Sequence, residues 1–377
     1  MITQKDLIEI RKIDAEFFNV DRIVNIYELQ SGHINSTYMV EMPEAKYIIQ
    51  TINTHVFYSP FGIMHNIEEV TNHIRKKVIY EGKNPNRSVL NIIKTRYNQT
   101  LVMRNNRYWR CMQYIDNATT YDVIQNCDMF FEVGRAVGDF QNLLSDFHTR
   151  ILDETIRDFH NTPVRYEHFK DVVKLDICDR ASNCKEEIEF ITSREKYYDY
   201  ITSRLDSHAI KRRVCHNDTK LSNVMIDDAT GKALCLIDLD TVMKGSLLYD
   251  YGDALRLGAS TAVEDEADLS KVTISLDLFE AFTEGFLMEV KDSIQVEEVK
   301  GLYYGWLLMT LEVAMRFLDD YFDGDKYFKV KYPTHNLIRS LNQMKLVSEI
   351  EKNEKQIKDI IKKILRNLEF SEEYLNF

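Results

Sequence analysis

Asp218, Asn223 and Asp238 are the residues whose types and spacing best support chemistry. They lie in Val214–Asp240, VCHNDTKLSNVMIDDATGKALCLIDLD. An apolar start leads to His216-Asn217-Asp218. Asn223 then opens an apolar strand, 224–226. After a turn at 227–231, a second apolar strand, 233–237, ends in Asp238-Leu239-Asp240. A carboxylate at Asp218 can take the proton of a hydroxyl as that hydroxyl becomes a nucleophile. The four-residue gap to Asn223 lets a loop curl back and bring the amide oxygen beside the carboxylate. A neutral oxygen, with the Asp238 carboxylate at the next strand tip, suits Mg²⁺, which takes few protein ligands and shares the rest with phosphates and water. Asp240 reads as either a second metal contact or a cap of the following loop, and His216 as a brace. Asp250 and Asp253 read as caps of a helix at 254–257 or as braces of the metal loop.

The elements that must position these groups follow from periodicity. Leu7, Ile10, Ile13 and Phe17 form one stripe of a helix over 3–19. Strands are expected at 24–29, 37–41, 47–52, 89–96, 101–103 and 108–115, with a helix over 64–78. Arg104-Asn105-Asn106-Arg107 is a good hairpin turn. The first 115 residues thus predict an antiparallel sheet of about five strands with one inserted helix. Beyond Ile115 the pattern turns helical. Phe130, Val133, Val137, Phe140, Leu144 and Phe147 recur at helical spacing. Helices are also expected over 185–205, 302–321 and 340–368. The fold class is therefore α+β, with a β-rich part over 1–115 and a mostly helical part over 116–377.

The 377 residues favour two lobes over one core. Hydrophobic residues make up 44% and charged residues 29%, a globular balance. A net charge of −12 argues against nucleic acid held by charge. Six cysteines at 111, 127, 178, 184, 215 and 235 have no zinc-site spacing and read as reduced, mostly buried thiols of a cytoplasmic protein. There is neither an apolar leader segment nor a run expected to span a bilayer, so no membrane partner is expected.

The spacing H-x-D-x-x-x-x-N, followed by an Asp after a short hairpin, is that of the catalytic and metal-binding loops of protein kinases. The chain resembles the aminoglycoside phosphotransferase and choline-kinase-like group of small-molecule kinases. It resembles bacterial N-acetylhexosamine 1-kinases more closely. The resemblance runs through SGHINSTYMVE at 31–41, YIIQTIN at 47–53, HNDTKLSNVMID at 216–227, IDLDTVMKGSLLYDYGDALR at 237–256 and EVAMRFLDDYFDGDKYFKVKYPTHN at 312–336. It implies a protein-kinase-like two-lobed fold, and a kinase that uses Mg²⁺ and ATP to phosphorylate the anomeric hydroxyl of N-acetylglucosamine or N-acetylgalactosamine. Asp218 would be the catalytic base, and Asn223 and Asp238 the metal ligands. His33, Arg316 and Tyr327 would contact the sugar, and the main chain of Gln113, Tyr114 and Ile115 would bind adenine.

Two features depart from the kinase pattern. The turn at 31–36 holds a single glycine, Gly32. Gln50 occupies the place of the strand lysine that pairs with the phosphates, so either another cation substitutes, with Arg75, Lys46 or Lys94 as candidates, or this part of the chain relies more on Mg²⁺. Glu68 or Glu69 stands where the partner of that lysine would lie. Other acceptors remain open: an amino alcohol, another hexose or an aminoglycoside. A catalytically silent nucleotide-binding relative is the remaining alternative. Arg316 reads either as a substrate contact or as the partner of Asp319 or Asp320, and Tyr327 as a contact or as packing.

Overall fold

Two adjacent asparagines set the register of the first sheet. Asn105 and Asn106 both take positive φ, 49° and 59°. That is the twist a two-residue hairpin needs, and asparagine tolerates it. The hairpin joins β5 (Val102–Arg104) to β6 (Arg107–Gln113). With β1 (Asn25–Leu29), β2 (Thr37–Glu41), β3 (Lys46–Ile52) and β4 (Ile92–Ile93), these strands form a six-stranded antiparallel sheet in the order β1-β2-β3-β6-β4, with β5 also on β6. The computed structural model describes residues 4–18, 22–29 and 35–377. His33 and the turn at 31–34 lie outside the described residues.

The sheet differs from expectation at 89–96, where only Ile92–Ile93 pairs. Val89 ends a short helix, Pro85–Ser88, and Thr95 turns the chain by accepting the Asn98 amide and donating its own to Gln99. The first helix, Gln4–Phe18, packs Ile10, Ile13 and Phe17 against Val40, Ile49 and Trp109. The second helix begins at Pro60, before the expected Met64. Ser59 caps it by accepting the Gly62 amide at 3.2 Å, and proline is preorganised for the first turn.

The chain divides into two compact units. The first holds the described residues up to Thr120, with Asp146–Arg157 and Met225–Met243. The strand pair Val224–Asp227 and Ala233–Leu236 extends onto Ala118–Thr119 in a small second sheet. Ile115, Ala118 and Met225 form its apolar core.

The second unit is mostly helical. Helix Cys127–Leu143 starts at an Asn126 cap and stops short of Phe147. It meets helix Leu276–Val290 so closely that a Cβ on Gly134 would lie 2.1 Å from the Phe282 carbonyl oxygen. Helix Val296–Phe322 is buried along almost its whole length. The basic C-terminal segment forms two helices, His335–Lys352 and Glu354–Asn367, where one was expected. Among the described residues no helix is long and apolar enough to cross a membrane. All six cysteines are free, but only Cys111, Cys184 and Cys215 are buried.

Helix Leu247–Gly258 crosses Val296–Phe322 at a glycine pair. A Cβ on Gly252 would meet the Gly305 carbonyl oxygen at 2.2 Å. Alanine normally favours a helix interior over glycine by about 1 kcal/mol. Here the clash with backbone opposes that gain. Gly252→Ala is expected to lower unfolding stability by about 1–3 kcal/mol in urea titrations. A neutral or stabilising result would remove the close crossing as a determinant of the fold.

Candidate active site

The loop carrying Asp218 is built from below by buried groups. Strand Arg213–Cys215 is anchored by Arg213, whose Nε and Nη2 donate to Glu298 at 2.6 and 2.7 Å in the buried first turn of helix Val296–Phe322. After Cys215 the chain turns at Asn217, which takes a left-handed φ of 64°. Asp250 makes that turn possible. Its Oδ2 accepts the His216 amide at 2.9 Å and the Gln141 side chain at 2.7 Å, and its Oδ1 accepts the Asn217 amide at 2.8 Å. Burial pushes the Asp250 carboxyl up to about 6, against the opposing pull of His216 and these donors. Asp253 Oδ2 accepts the Thr219 amide at 2.9 Å. Asp250 and Asp253 thus brace the loop from inside helix Leu247–Gly258, where they were expected ahead of a helix; the cap is Ser246.

On this support Asp218 is one-sided. Its Oδ2 accepts Lys220 Nζ at 2.8 Å and Asn223 Nδ2 at 2.9 Å. Its Oδ1 has no hydrogen-bond donor among the described residues, and the side chain is half-buried. Buried His216 accepts the Asp218 amide on Nδ1 at 3.3 Å, a contact that braces the loop. Asn223 also donates Nδ2 to the Asp218 carbonyl at 2.8 Å, which leaves its Oδ1 as the atom able to accept or to ligate. The carboxylate and amide are neighbours as the spacing predicted, but it is the amide nitrogen, not the expected oxygen, that meets the Asp218 carboxylate.

In the first unit, Asp238 takes a left-handed conformation, φ 61° and ψ 56°, and opens the short 3-10 turn Leu239–Thr241. Asn66 ties the end of that turn to the second helix by donating to the Val242 carbonyl at 2.9 Å. Asp240 is buried, with Oδ1 paired to Arg110 and Oδ2 accepting Asn35 Nδ2 at 2.7 Å. Both oxygens are engaged, so the geometry favours neither role expected for Asp240. Gln50 Oε1 accepts two bonds from Arg110. Of the expected replacement cations, Lys46 pairs with Asp116, Lys94 with Glu68, and Arg75 with Asn86. At the expected adenine segment, the Gln113 amide donates to Asn91 and the Tyr114 amide to Lys46. The Ile115 amide makes no hydrogen bond among the described residues.

Arg316 pairs with neither expected acid. Asp319 faces His168 at 3.1 Å. Asp320 folds the following loop by accepting the Lys326, Tyr327 and Phe328 amides at 2.8–2.9 Å. The Arg316 guanidinium lies instead over three rings, Phe159 at 5.4 Å, Phe328 at 5.6 Å and Tyr327 at 5.7 Å, within cation–π range. Tyr327 is 58% exposed, so it is not core packing. One turn back, buried Glu312 accepts His160 Nδ1 at 2.8 Å and Thr162 at 2.6 Å, with Arg165 at 3.7 Å. Burial pushes the Glu312 carboxyl up, but His160, Arg165 and Arg316 together hold it at about 2. Burial first and Arg316 second lower Arg165 to about 10. His160 also packs on Tyr249, one residue before the loop-bracing Asp250.

Lys220, Arg110, Arg165 and Glu312 were missed in the sequence. Lys220 carried a signal, a charge two residues past Asp218 in a loop with apolar flanks. The others carried none, because their partners are distant in the chain.

Residues 25–273, more than half the chain, match the model of the phosphotransferase enzyme family. The chain is 14% identical to a microcompartment-associated aminopropanol kinase, covering 93% of this chain and 98% of that one with a TM-score of 0.62. It is 14% identical to a spectinomycin phosphotransferase solved with ADP and spectinomycin, covering 94% and 99% with a TM-score of 0.56. An ethanolamine kinase from Plasmodium vivax is 13% identical over 90% and 89%, with a TM-score of 0.58. These likenesses establish the protein-kinase-like α+β fold. With the matched family model they place this chain in the phosphotransferase enzyme family.

Proposed function

We propose that the chain transfers the γ-phosphoryl group of ATP to the anomeric hydroxyl of an N-acetylhexosamine. The observation that carries the phosphotransfer reading is the one-sided Asp218 carboxylate. Lys220 and Asn223 hold its Oδ2, leaving Oδ1 to accept the hydroxyl proton. The anomeric hydroxyl is the most acidic on the ring and suits a carboxylate base. On the resemblance, the Asn223 amide oxygen and the Asp238 carboxylate are the proposed Mg²⁺ ligands, each a hard oxygen donor of the kind that ion takes alongside phosphate and water. That ion would neutralise charge on the phosphates. Little covalent chemistry is left to the protein, so positioning supplies most of the acceleration. The β-rich part, with Gln50 and the Gln113–Ile115 main chain, is assigned to the nucleotide.

The acceptor reading rests on Arg316. Among the described residues its guanidinium has no carboxylate at hydrogen-bond distance, and it lies close enough to Arg165 to depress that residue's pKa. Such a cluster repels a cationic amino alcohol or aminoglycoside and can donate paired hydrogen bonds to neutral hydroxyl and acetamido oxygens. The exposed Tyr327 ring offers a sugar face to stack on. His33 remains a proposed sugar contact on resemblance alone. The acceptor is tested with a panel of N-acetylhexosamines, hexoses, choline and aminoglycosides with Mg-ATP, read by ADP release and by the position phosphorylated. Turnover of choline or an aminoglycoside in preference to every sugar would replace this acceptor.

Three outcomes are expected of variants. Asp218→Asn should lower turnover about 10²–10⁴-fold while leaving Mg-ATP binding and melting temperature close to wild type. Wild-type turnover would end its assignment as the base. Arg316→Ala should raise the sugar KM roughly ten- to hundredfold, the value of a hydrogen bond from a charged donor, with the ATP KM within about threefold. Equal effects on both would take Arg316 out of the acceptor site.

The third concerns pH. The folded Glu312 carboxyl, at about 2, titrates below its unfolded value of about 4.3. Its stabilisation is therefore complete above that unfolded value and is lost as pH falls towards 2. Glu312→Gln should cost about 3 kcal/mol at pH 7, a cost that shrinks as pH drops below about 4. Thermal unfolding over a pH series checks this, and a difference independent of pH would remove the charged form from the account.

A further inference from the structure

The strand position that pairs with nucleotide phosphates in many kinases holds a neutral glutamine, and the three cations considered from sequence are engaged elsewhere. The cation beside Gln50 is Arg110. The two residues are direct partners across β3 and β6. Cross-strand partners share a face of the sheet, so the guanidinium reaches the amide without leaving the interior. Arg110 is 2% exposed. Its Nε and Nη2 donate to Gln50 Oε1 at 2.9 and 2.6 Å, and its Nη1 pairs with Asp240 Oδ1.

Those contacts orient the rest of the network. With Oε1 held by the guanidinium, the Gln50 amide can turn only its Nε2 outward. One Nε2 hydrogen goes to Thr37 Oγ1 at 2.8 Å, across the other strand neighbour, and Gln50 is only partly buried. A donor amide whose oxygen accepts two charge-assisted bonds is polarised, and its remaining N–H is a stronger donor than an isolated glutamine's. On the other side, Asp240 sits two residues past Asp238 in the same short turn. Asp240 Oδ2 accepts Asn35 Nδ2 at 2.7 Å, and Asn35 Oδ1 accepts the Asn53 amide at 2.9 Å. One buried guanidinium therefore links the β3 amide, the turn that presents Asp238, and the end of the glycine-poor turn before β2.

We infer that Arg110 is a positioning residue for the polyphosphate tail of the nucleotide and takes over the role of the missing strand lysine. It acts through Gln50, which it makes a polarised donor, and through Asp240, which it holds so that the Asp238 turn keeps its left-handed shape. This rests on the reading of the chain as an ATP-dependent phosphotransferase.

Removing Arg110 alone would strand a buried carboxylate and could unfold the unit. The test therefore removes both charges together, in Arg110→Met/Asp240→Asn, and then adds Gln50→Lys to that pair. Binding of Mg-ADP and of adenosine is measured calorimetrically on the full chain, with melting temperature as the control. The double variant should bind Mg-ADP at least about tenfold more weakly, as expected for loss of charge-assisted hydrogen bonding. Adenosine, which lacks phosphates, should bind within about twofold of wild type. The added lysine should restore Mg-ADP binding to within about threefold. As a second variant, Arg110→Lys keeps the charge but loses the fork on Gln50. It should raise the ATP KM several-fold with the acceptor KM unchanged.

The inference is overturned by a folded double variant that binds Mg-ADP like wild type, by an equal loss of adenosine and Mg-ADP, or by failure of the added lysine to restore binding. If the double variant does not fold, an unchanged ATP KM in Arg110→Lys overturns it. A wild-type chain that binds neither Mg-ADP nor Mg-ATP overturns the phosphotransfer reading itself, and the inference with it.

Discussion

The buried Asp250 carboxylate is the interaction on which the candidate site depends. Two consecutive backbone amides, those of His216 and Asn217, point into the protein at a turn with a left-handed residue. Buried amides without acceptors would each cost as much as a lost hydrogen bond. A single carboxylate with two oxygens meets both, and Gln141 adds a third donor. Burial raises the pKa of that carboxyl to about 6, so holding the loop carries an electrostatic penalty that grows as pH rises from the ordinary carboxylate range to about 6 and stays constant above it. The result is a braced platform from which Asp218 projects one oxygen that has no donor among the described residues.

The same helix connects this platform to the arginine cluster. Tyr249 packs on His160, His160 binds Glu312, and Glu312 holds Arg165 beside Arg316. The close crossing at Gly252 and Gly305 lets helices Leu247–Gly258 and Val296–Phe322 pack tightly enough for that chain of contacts. The loop carrying Asp218 and the arginine cluster thus share one scaffold. Hydrogen bonds across the first unit do the corresponding work for the Asp238 turn, with Arg110 and Asn66 holding it from two sides.

Much of this was legible in the residues themselves. The Asn-Asn hairpin, the strands at 37–41 and 46–52 and the first helix follow from local preferences, which act over a few residues and leave a periodic trace. Boundaries failed where tertiary context set them. Residues 89–96 have strand composition, but the Thr95 turn and the Pro85–Ser88 helix leave only two of them paired. Asp250 and Asp253 look like caps because they are acids near a short apolar stretch. They are interior helix residues whose partners lie more than thirty positions earlier in the chain.

Sequence alone determined the fold class and the neighbours Asp218 and Asn223, because one short loop confines them to each other's reach. It also determined that Gln50 cannot supply a charge. Only the tertiary structure decided what stands beside that glutamine. Arg110 is sixty residues away in the chain and meets Gln50 through antiparallel pairing of β3 with β6. The structure also decided that Arg316 lies among aromatic rings rather than against Asp319 or Asp320. Both outcomes turn on which buried charges find partners. Desolvation makes that choice energetically large, but it depends on the packing of distant segments, which no local pattern records.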